Sequence, residues 1–178
     1  MSTESTTTEV VDTILEKMTY GFYLLAARKD GADLKTREKD WVSAGTVSWV
    51  MQTSFSPLQI TVALQKNSDL HETVERAQAF TLTILGEGDE QLVEKFANNS
   101  KVDYSEEKVN GVCYSESESG APILDCGIAN LECKVVDALT TNGDHILFVA
   151  DIVSVANRND NRPLCDNLDT DYAYGGTN

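Results

Sequence analysis

The chain has 178 residues, with 29 acidic and 14 basic side chains and a net charge of -15 at pH 7. This length suits one domain of ordinary size, which buries roughly two thirds of the surface that its unfolded form exposes. The negative charge argues against a nucleic-acid partner, because the summed field repels phosphates. A small anionic ligand stays compatible, since local donors outweigh distant charges beyond a Debye length of about 8 Å.

The cysteines and the N-terminal residues narrow the class of protein further. Cys113, Cys126, Cys133 and Cys165 show no C-x-x-C spacing and accompany only two histidines, so we expect reduced thiols and no metal site. The N-terminal residues lack the features of a signal peptide, and no apolar run approaches the ~20 residues of a membrane span. We therefore expect a cytoplasmic protein without a membrane segment.

The N-terminal quarter is predicted to contain a helix and a buried strand. Residues 1–9 are rich in hydroxyls and are expected to form a disordered tail, before a single domain over 10–178. Apolar residues at helical spacing predict a short amphipathic helix over 10–18, and the compact apolar run 20–27 predicts a buried strand. The charged segment 28–40 is typical of a loop or a ragged hairpin.

The segment 43–68 is the most informative part of the chain, because hydroxyls, a tryptophan, a glutamine and a lysine alternate there with apolar residues. A pleated strand over 42–51 directs Thr46 and Ser48 to one side, so that one face presents small hydroxyls. Pro57 ends the connecting loop, and the alternation resumes in a second strand. A strand pair with such a face suits a phosphate.

A helix start directly after the strand pair predicts an anion site. Ser68 or Asp69 is expected to cap a helix whose apolar positions include Leu70 and Val74. Lys66 precedes the cap, so we expect its ammonium group beside free backbone N–H groups and the positive end of the helix dipole. A lysine taken alone is more often a solvated charge, and this position strengthens the case for a role.

The second half of the chain predicts further strands and a short helix. Residues 80–85 alternate as a strand, and a capped helix follows them. Residues 98–119 are polar and irregular, which is typical of a loop over a site or, with better support, of a surface excursion. Asn142-Gly143 predicts a tight turn into a strand over 145–155.

These elements predict a mainly β protein with flanking helices. A mostly antiparallel sheet of six or seven strands is expected to close into a barrel, because closure removes exposed edges.

His71 is expected on the outer face of its helix without a role, and Trp49 is as often a core residue as a site residue. Ser54, Asp144 and His145 have the composition of a hydrolytic triad but lack the G-x-S-x-G elbow, so hydrolysis is not expected.

Six short segments of the chain match one known family in the same order. The most specific is T-V-S-W-V-M-Q-T-S-F-S-P at 46–57, and the others are V-A-L-Q-K-N-S at 62–68, F-T-L-T-I-L at 80–85, P-I-L at 122–124, L-E-C-K-V at 131–135 and G-D-H-I-L-F-V at 143–149. Together they resemble the flavin reductase-like family, the FMN-binding split barrels that include flavoredoxin and the C-terminal modules of flavodiiron proteins. Leu58 departs from the pattern, because many relatives carry a second proline there.

The resemblance implies an FMN-binding split β-barrel that forms a homodimer and transfers hydride from NADH or NADPH to flavin. Flavin and nicotinamide would be its small-molecule partners, and a redox protein is a further possible partner. The flavin supplies the chemistry, while the protein orients the reactants. A non-enzymatic FMN-binding electron carrier that accepts electrons from a protein partner is the alternative, and a binding module without redox work is a weaker one.

The resemblance also assigns residues to the site. Lys66 and Ser68 would help to hold the FMN phosphate, and His145 would lie near the flavin or the nicotinamide. Tyr172 or Tyr174 would cover the flavin ring. The full cofactor-binding set expected from the resemblance is Thr46, Val47, Ser48, Trp49, Met51, Gln52, Thr53, Ser54, Lys66, Asn67, Ser68, Tyr172 and Tyr174.

Overall fold

The computed structural model describes residue 11 and residues 14–29 and 42–166. The predicted N-terminal tail and the segment 30–41 lie outside the described residues, and so does part of the helix predicted over 10–18, of which Ile14 and Leu15 are helical. The elements are β1 (Tyr23–Arg28), β2 (Val42–Val47), β3 (Val50–Phe55), β4 (Leu58–Gln65), α1 (Asp69–Ala77), β5 (Ala79–Ile84), α2 (Glu90–Lys95), β6 (Val102–Asp103), β7 (Lys108–Val109), β8 (Val112–Glu116), β9 (Pro122–Leu124), β10 (Ala129–Thr140) and β11 (His145–Asn157).

The described residues form two antiparallel sheets, which confirms the predicted mainly β class. The larger sheet has seven strands in the order β2-β1-β5-β10-β11-β4-β3, and the smaller has four in the order β6-β7-β8-β9. β2 and β3 lie at opposite ends of the large sheet, although only Ser48 and Trp49 separate them in the chain. The two ends of the sheet are therefore close together, which gives the sheet the curvature of a barrel.

The prediction of one continuous strand over 42–51 is wrong. Thr46 in β2 pairs with Leu24 in β1, whereas Val50 in β3 pairs with Val62 in β4. The chain changes its partner strand between these residues, because the two ends of the curved sheet meet there. The hydroxyls that the alternation assigned to one face therefore belong to two differently paired segments.

β1 faces a hydrophobic core on each side. Leu24 belongs to a cluster that packs α2 and the small sheet against the large one, and Leu25 belongs to a second cluster between the large sheet and α1. A strand buried on both faces reads as a continuous apolar run, which is why the sequence predicted it as buried. In the second cluster Val74 of α1 meets Phe80 and Phe148 of the sheet.

Residues 98–119 do not form the irregular excursion that the sequence predicted. β6, β7 and β8 lie in this segment and pair in sequence order. Val109 and Tyr114 from these strands are buried in the first core cluster. Strands of two to five residues are too short to show a clear alternation of apolar and polar residues. The polar composition of the segment therefore suggested a loop.

The helix after β4 begins as predicted, but one of its residues does not lie where we expected it. The Ser68 hydroxyl accepts a hydrogen bond from His71 N at 3.1 Å, which is the predicted cap. His71 itself is buried, and its ring lies 5.9 Å from the ring of Phe148. The prediction of an outward His71 is wrong, because this residue lies three positions before the buried Val74 and shares its face.

None of the four cysteines, all of which lie in the described residues, forms a disulfide, in agreement with the predicted reduced thiols. Burial raises the pKa of the Cys126 and Cys133 thiols to about 12, which keeps them protonated and unreactive near neutral pH. Among the described residues, no cluster of His, Cys, Asp and Glu has the arrangement of a metal site. No helix in the described ranges is long and apolar enough to cross a membrane.

Candidate functional site

A cleft of about 370 Å³ opens between β2, the start of α1 and the chain that follows α2. Small-molecule sites in proteins commonly have volumes of roughly 300–1,000 Å³, so the cleft can receive a substantial part of a cofactor. Hydroxyl and amide side chains dominate its polar lining, which includes Ser43, Thr46, Ser68, Thr73, Asn98, Asn99 and Ser100. Such a lining suits a ligand with many oxygen atoms.

Hydrogen bonds hold the chain after α2 against the edge of β2. Thr46 N donates to Phe96 O at 3.0 Å, and Thr46 Oγ1 donates to Val93 O at 2.8 Å. Ser100 Oγ accepts from Ala44 N at 2.8 Å and donates to Ala44 O at 2.9 Å. These contacts fix one wall of the cleft, and they leave the lone pairs of the Thr46 hydroxyl as acceptors.

The N-terminus of α1 forms the opposite wall. Ser68 Oγ donates to Gln65 O at 2.9 Å in addition to capping the helix, so the turn between β4 and α1 is fixed by one side chain. Asp69 and Leu70 line the cleft, and amides at this position of a helix have no partner within the helix. The positive end of the helix dipole therefore faces the cleft, as an anionic ligand requires.

Trp49 and His145 lie side by side at the end of β4. Their ring centroids are 4.6 Å apart, and the ring planes are tilted by 45°. His145 pairs with Gln65 in the β4–β11 ladder, and Trp49 O accepts a hydrogen bond from Ala63 N at 3.0 Å. Ala63 and Gln65 also line the cleft, so β4 connects the aromatic pair to the cleft wall.

Asp144 orients the imidazole of His145. Asp144 Oδ1 lies 2.7 Å from His145 Nδ1, and this hydrogen bond is the main reason why the pKa of the Asp144 carboxyl falls below its usual value. A carboxylate only accepts, so Nδ1 carries a proton toward Asp144. His145 Nε2 is buried and has no hydrogen-bond partner among the described residues.

Ser48 supplies a second buried polar atom of this kind. Its side chain is 1% exposed, and within the described part of the chain Ser48 Oγ has no hydrogen-bond partner. An unsatisfied buried polar group costs roughly 1–3 kcal/mol, so such groups usually have a partner. Ser48 precedes Trp49 in the chain, and His145 packs on the Trp49 ring. Among the described residues, none of these three lines the cleft itself.

Lys66 lies apart from the cleft in this structure. Its Nζ donates to Thr141 O at 2.8 Å and also to Gly143 O, and its backbone N donates to Asp144 O at 2.8 Å. The ammonium group therefore contacts the β10–β11 turn that carries Asp144 and His145. The role of Lys66 toward a phosphate stays a prediction.

The predicted residues of β3 form a separate group on the outer end of the sheet. Met51, Gln52 and Thr53 are exposed and Ser54 is half-buried. Gln52 Nε2 donates to Ser54 O at 3.2 Å, and Thr53 Oγ1 accepts from Thr61 Oγ1 at 3.1 Å. None of these β3 residues lines the cleft in the part of the chain that the structure describes.

The remaining predicted residues have different positions. Val47 is buried at the end of β2 and lines the cleft. Asn67 is exposed and has a φ of 64°, which makes the turn between β4 and α1. Tyr172 and Tyr174 lie outside the described residues.

One wall of the cleft and a lysine that lines it were not predicted from the sequence. Lys29 follows β1 and lines the cleft, and residues 96–100 form the wall opposite α1. The signal for the wall was present as F-A-N-N-S, a run of amides and a hydroxyl directly after a helix. Its contact with the edge of β2 is a tertiary feature that no local pattern indicates.

The chain is similar to several known proteins. A family profile described as Flavin reductase like domain matches residues 15–174. The ferric-chelate reductase (NAD(P)H) of Archaeoglobus fulgidus is 30% identical over 139 residues, which are 77% of this chain and 75% of that protein. Putative diflavin flavoprotein A 3 of Nostoc sp. is 31% identical over 140 residues, which are 76% of this chain and 22% of that protein. The chain thus spans about a fifth of that diflavin flavoprotein.

The solved structure of nitrilotriacetate monooxygenase component B from Mycobacterium thermoresistibile has the same fold. It superposes with a TM-score of 0.72 at 18% sequence identity, covering 92% of this chain and 84% of that chain. At this identity the likeness concerns the fold alone. It agrees with the antiparallel barrel described above.

Proposed function

The chain belongs to the flavin reductase-like domain family, and on that premise we propose that it is an NAD(P)H-dependent flavin reductase that binds FMN. The relative named as a ferric-chelate reductase (NAD(P)H), which the chain matches over three quarters of its length, supports this activity. The structural observation that carries the proposal is the Trp49–His145 pair beside a hydroxyl-lined cleft. The buried His145 Nε2 gives that pair a polar atom toward a ligand.

The residues of the cleft fit the parts of FMN. The amides at the start of α1 and the Lys29 ammonium suit a phosphate, because they combine donors with positive charge. Ser68 supports this role by fixing the turn that carries these amides, since its own hydroxyl hydrogen is donated to Gln65 O. The hydroxyls of Thr46 and Ser43 suit the ribityl chain. Ser48 Oγ and His145 Nε2 are the buried polar atoms that suit the edge of the ring.

These positions determine what the protein and the flavin each contribute to the reaction. When bound, the flavin supplies a ring that accepts hydride from the nicotinamide. Trp49 and His145 supply an aromatic surface that orients planar rings, and Asp144 keeps the His145 ring in one orientation. No side chain has to donate or remove a proton in the hydride transfer itself, so the chain works mainly by binding and orientation.

A homodimer is part of the same proposal. Met51, Phe55 and Leu58 expose large apolar side chains around the β3–β4 turn, and Phe55 is 87% exposed. Further exposed apolar residues lie on β10 and β11, namely Val136, Leu139, Val153 and Val155. Exposed apolar groups on a terminal strand favour association, and a second copy of the chain is the occupant that the family resemblance implies.

The dimer accounts for the predicted residues of β3 that lie outside the cleft. Met51, Gln52, Thr53 and Ser54 are on the strand that such a dimer covers. In the proposed dimer these residues approach a flavin near the subunit interface. A cytoplasmic location and a redox protein partner stay predictions.

The alternative function is a non-enzymatic FMN-binding electron carrier. The purified protein is incubated with FMN and with NADH or NADPH, and the absorbance of the reduced nicotinamide is followed. A steady loss that depends on the protein supports the reductase. A yellow protein that leaves both nicotinamides unchanged supports the carrier, and a colourless protein that binds no added FMN contradicts both.

A further inference from the structure

We propose that Lys66 is a positioning residue that clamps the β10–β11 turn and thereby keeps His145 against Trp49. This inference rests on the proposed function, since it assigns how the flavin-facing histidine is held. It differs from the phosphate role that the sequence predicted for Lys66. The clamp is a property of the chain without any ligand, so it can be tested separately.

Three contacts tie Lys66 to the turn. Lys66 Nζ donates to Thr141 O at 2.8 Å and to Gly143 O, and Lys66 N donates to Asp144 O at 2.8 Å. A single residue at the end of β4 thus binds three carbonyl groups of one short turn. The next residue of the turn is His145, whose register with Gln65 is set by the same strand pair.

The turn has few other restraints. Residues 141–144 are exposed, and Gly143 N donates to Thr141 Oγ1 at 3.1 Å within the turn. Among the described residues, Lys66 is the one side chain from outside the β10–β11 hairpin that bonds to this turn. Removal of its ammonium group therefore leaves exposed carbonyls to water and lets the turn move.

Movement of the turn affects the orientation of His145. Asp144 lies in the turn and accepts the hydrogen bond from His145 Nδ1, so a shift of the Asp144 backbone moves the group that fixes the imidazole. The imidazole in turn packs on Trp49. Lys66 therefore acts on the aromatic pair through Asp144, without contact with the reacting atoms.

The geometry separates this role from that of a phosphate ligand. An ammonium group has three donors, and two of those of Lys66 are engaged by carbonyl oxygens of the turn. Lys66 does not line the cleft, whereas Ser68 and Lys29 do. Charge-assisted hydrogen bonds to two carbonyls are stronger than neutral ones, so they hold the side chain in place.

The test compares Lys66→Met, which keeps the aliphatic stem, with Lys66→Arg, which keeps the charge and the donors. Lys101→Met is the matched control, since it removes an equal charge from an exposed position. NMR of the flavin-free proteins measures the ring signals of His145 and amide exchange over 141–145. Fluorescence titration then measures the affinity for FMN and for riboflavin, which lacks the phosphate.

The clamp predicts that Lys66→Met shifts the His145 ring signals and makes amide exchange in the turn about tenfold faster. FMN and riboflavin affinities fall together by the same factor, about three- to tenfold, while Lys66→Arg and Lys101→Met stay close to the wild type. Unchanged signals in the turn, or a larger loss for FMN than for riboflavin, would overturn the proposal.

A replacement variant and the flavin binding of the wild type complete the test. Lys66→Gln, which retains one amide donor, replaces Lys66→Met if that variant does not fold, and it is expected to show a smaller change in the same direction. A wild-type protein that binds neither flavin contradicts the proposed function. In that case the NMR arm still decides whether Lys66 holds the turn.

Discussion

The imidazole of His145 and the indole of Trp49 are in contact, with ring centroids 4.6 Å apart, although the two residues come from distant parts of the chain. The crossing between β2 and β3 carries Trp49, and the start of β11 carries His145. β4 lies next to both segments and holds them together. This contact joins two residues that the family resemblance assigned to the site.

The aromatic contact should appear as an energetic coupling. In a double-mutant cycle with Trp49→Ala and His145→Ala, we expect a coupling of about 0.5–1.5 kcal/mol, because aromatic pairs contribute this much beyond the area that they bury. Urea unfolding of the flavin-free proteins measures it. Strict additivity of the two single substitutions would mean that the rings do not stabilise each other.

Substitution of His145 should slow the reaction without abolishing it. We expect His145→Gln to lower the rate of hydride transfer by less than about a hundredfold, because the residue orients the reactants and does not act as an obligatory acid or base. Stopped-flow measurements at saturating NADH and FMN give this rate. A loss of ten-thousandfold would assign His145 an acid–base role instead.

The contact between Asp144 and His145 should be lost in acid. The hydrogen bond from His145 lowers the pKa of the Asp144 carboxyl, so its stabilising effect is complete above the usual carboxyl pKa of about 3.9 and disappears as the pH falls through the lowered value. We expect the Nδ1 signal of His145 to change in that acidic range. Asp144→Asn, which removes the titrating group, should abolish this change.

The cap of α1 should contribute to stability and to flavin binding together. Ser68→Ala removes the acceptor for His71 N, and we expect a loss of about 1 kcal/mol in the free energy of unfolding. FMN affinity should also fall, because the same hydroxyl lines the cleft. Urea unfolding and fluorescence titration measure the two effects, with the exposed Ser115→Ala in β8 as a control that changes neither.

Disruption of the apolar β3–β4 turn should dissociate the dimer. We expect Phe55→Asp to yield a monomer, because a charge replaces an apolar side chain that is 87% exposed in the single chain. Sedimentation at several concentrations measures the assembly, and Ser115→Asp on the small sheet serves as the control. A monomeric wild type would contradict the proposed dimer, and a dimer that tolerates the Phe55 substitution would place its interface elsewhere.

Features that depend on local sequence could be predicted. The cap at Ser68, the strand after Pro57 and the start of β11 at His145 all follow from patterns of neighbouring residues. Each is fixed by hydrogen bonds or side-chain alternation within a few positions. The number of predicted strands, and then the resemblance to one family, combined these local features into a barrel.

Features that depend on tertiary pairing could not be predicted. The chain crosses between the ends of the sheet at Ser48, and no local pattern indicates that β2 and β3 have different partners. His71 is buried because the sheet lies beneath α1, although its residue type suggested an outward position. Lys66 turns toward the carbonyls of Thr141 and Gly143, which only the fold brings near it.

The most direct test of the proposed function follows the purified protein spectroscopically as FMN and then NADH or NADPH are added. We expect a flavin spectrum that shifts on binding and bleaches on addition of the nicotinamide under anaerobic conditions, with weaker binding in Trp49→Ala. A wild-type protein that leaves the spectrum of FMN unchanged would contradict it.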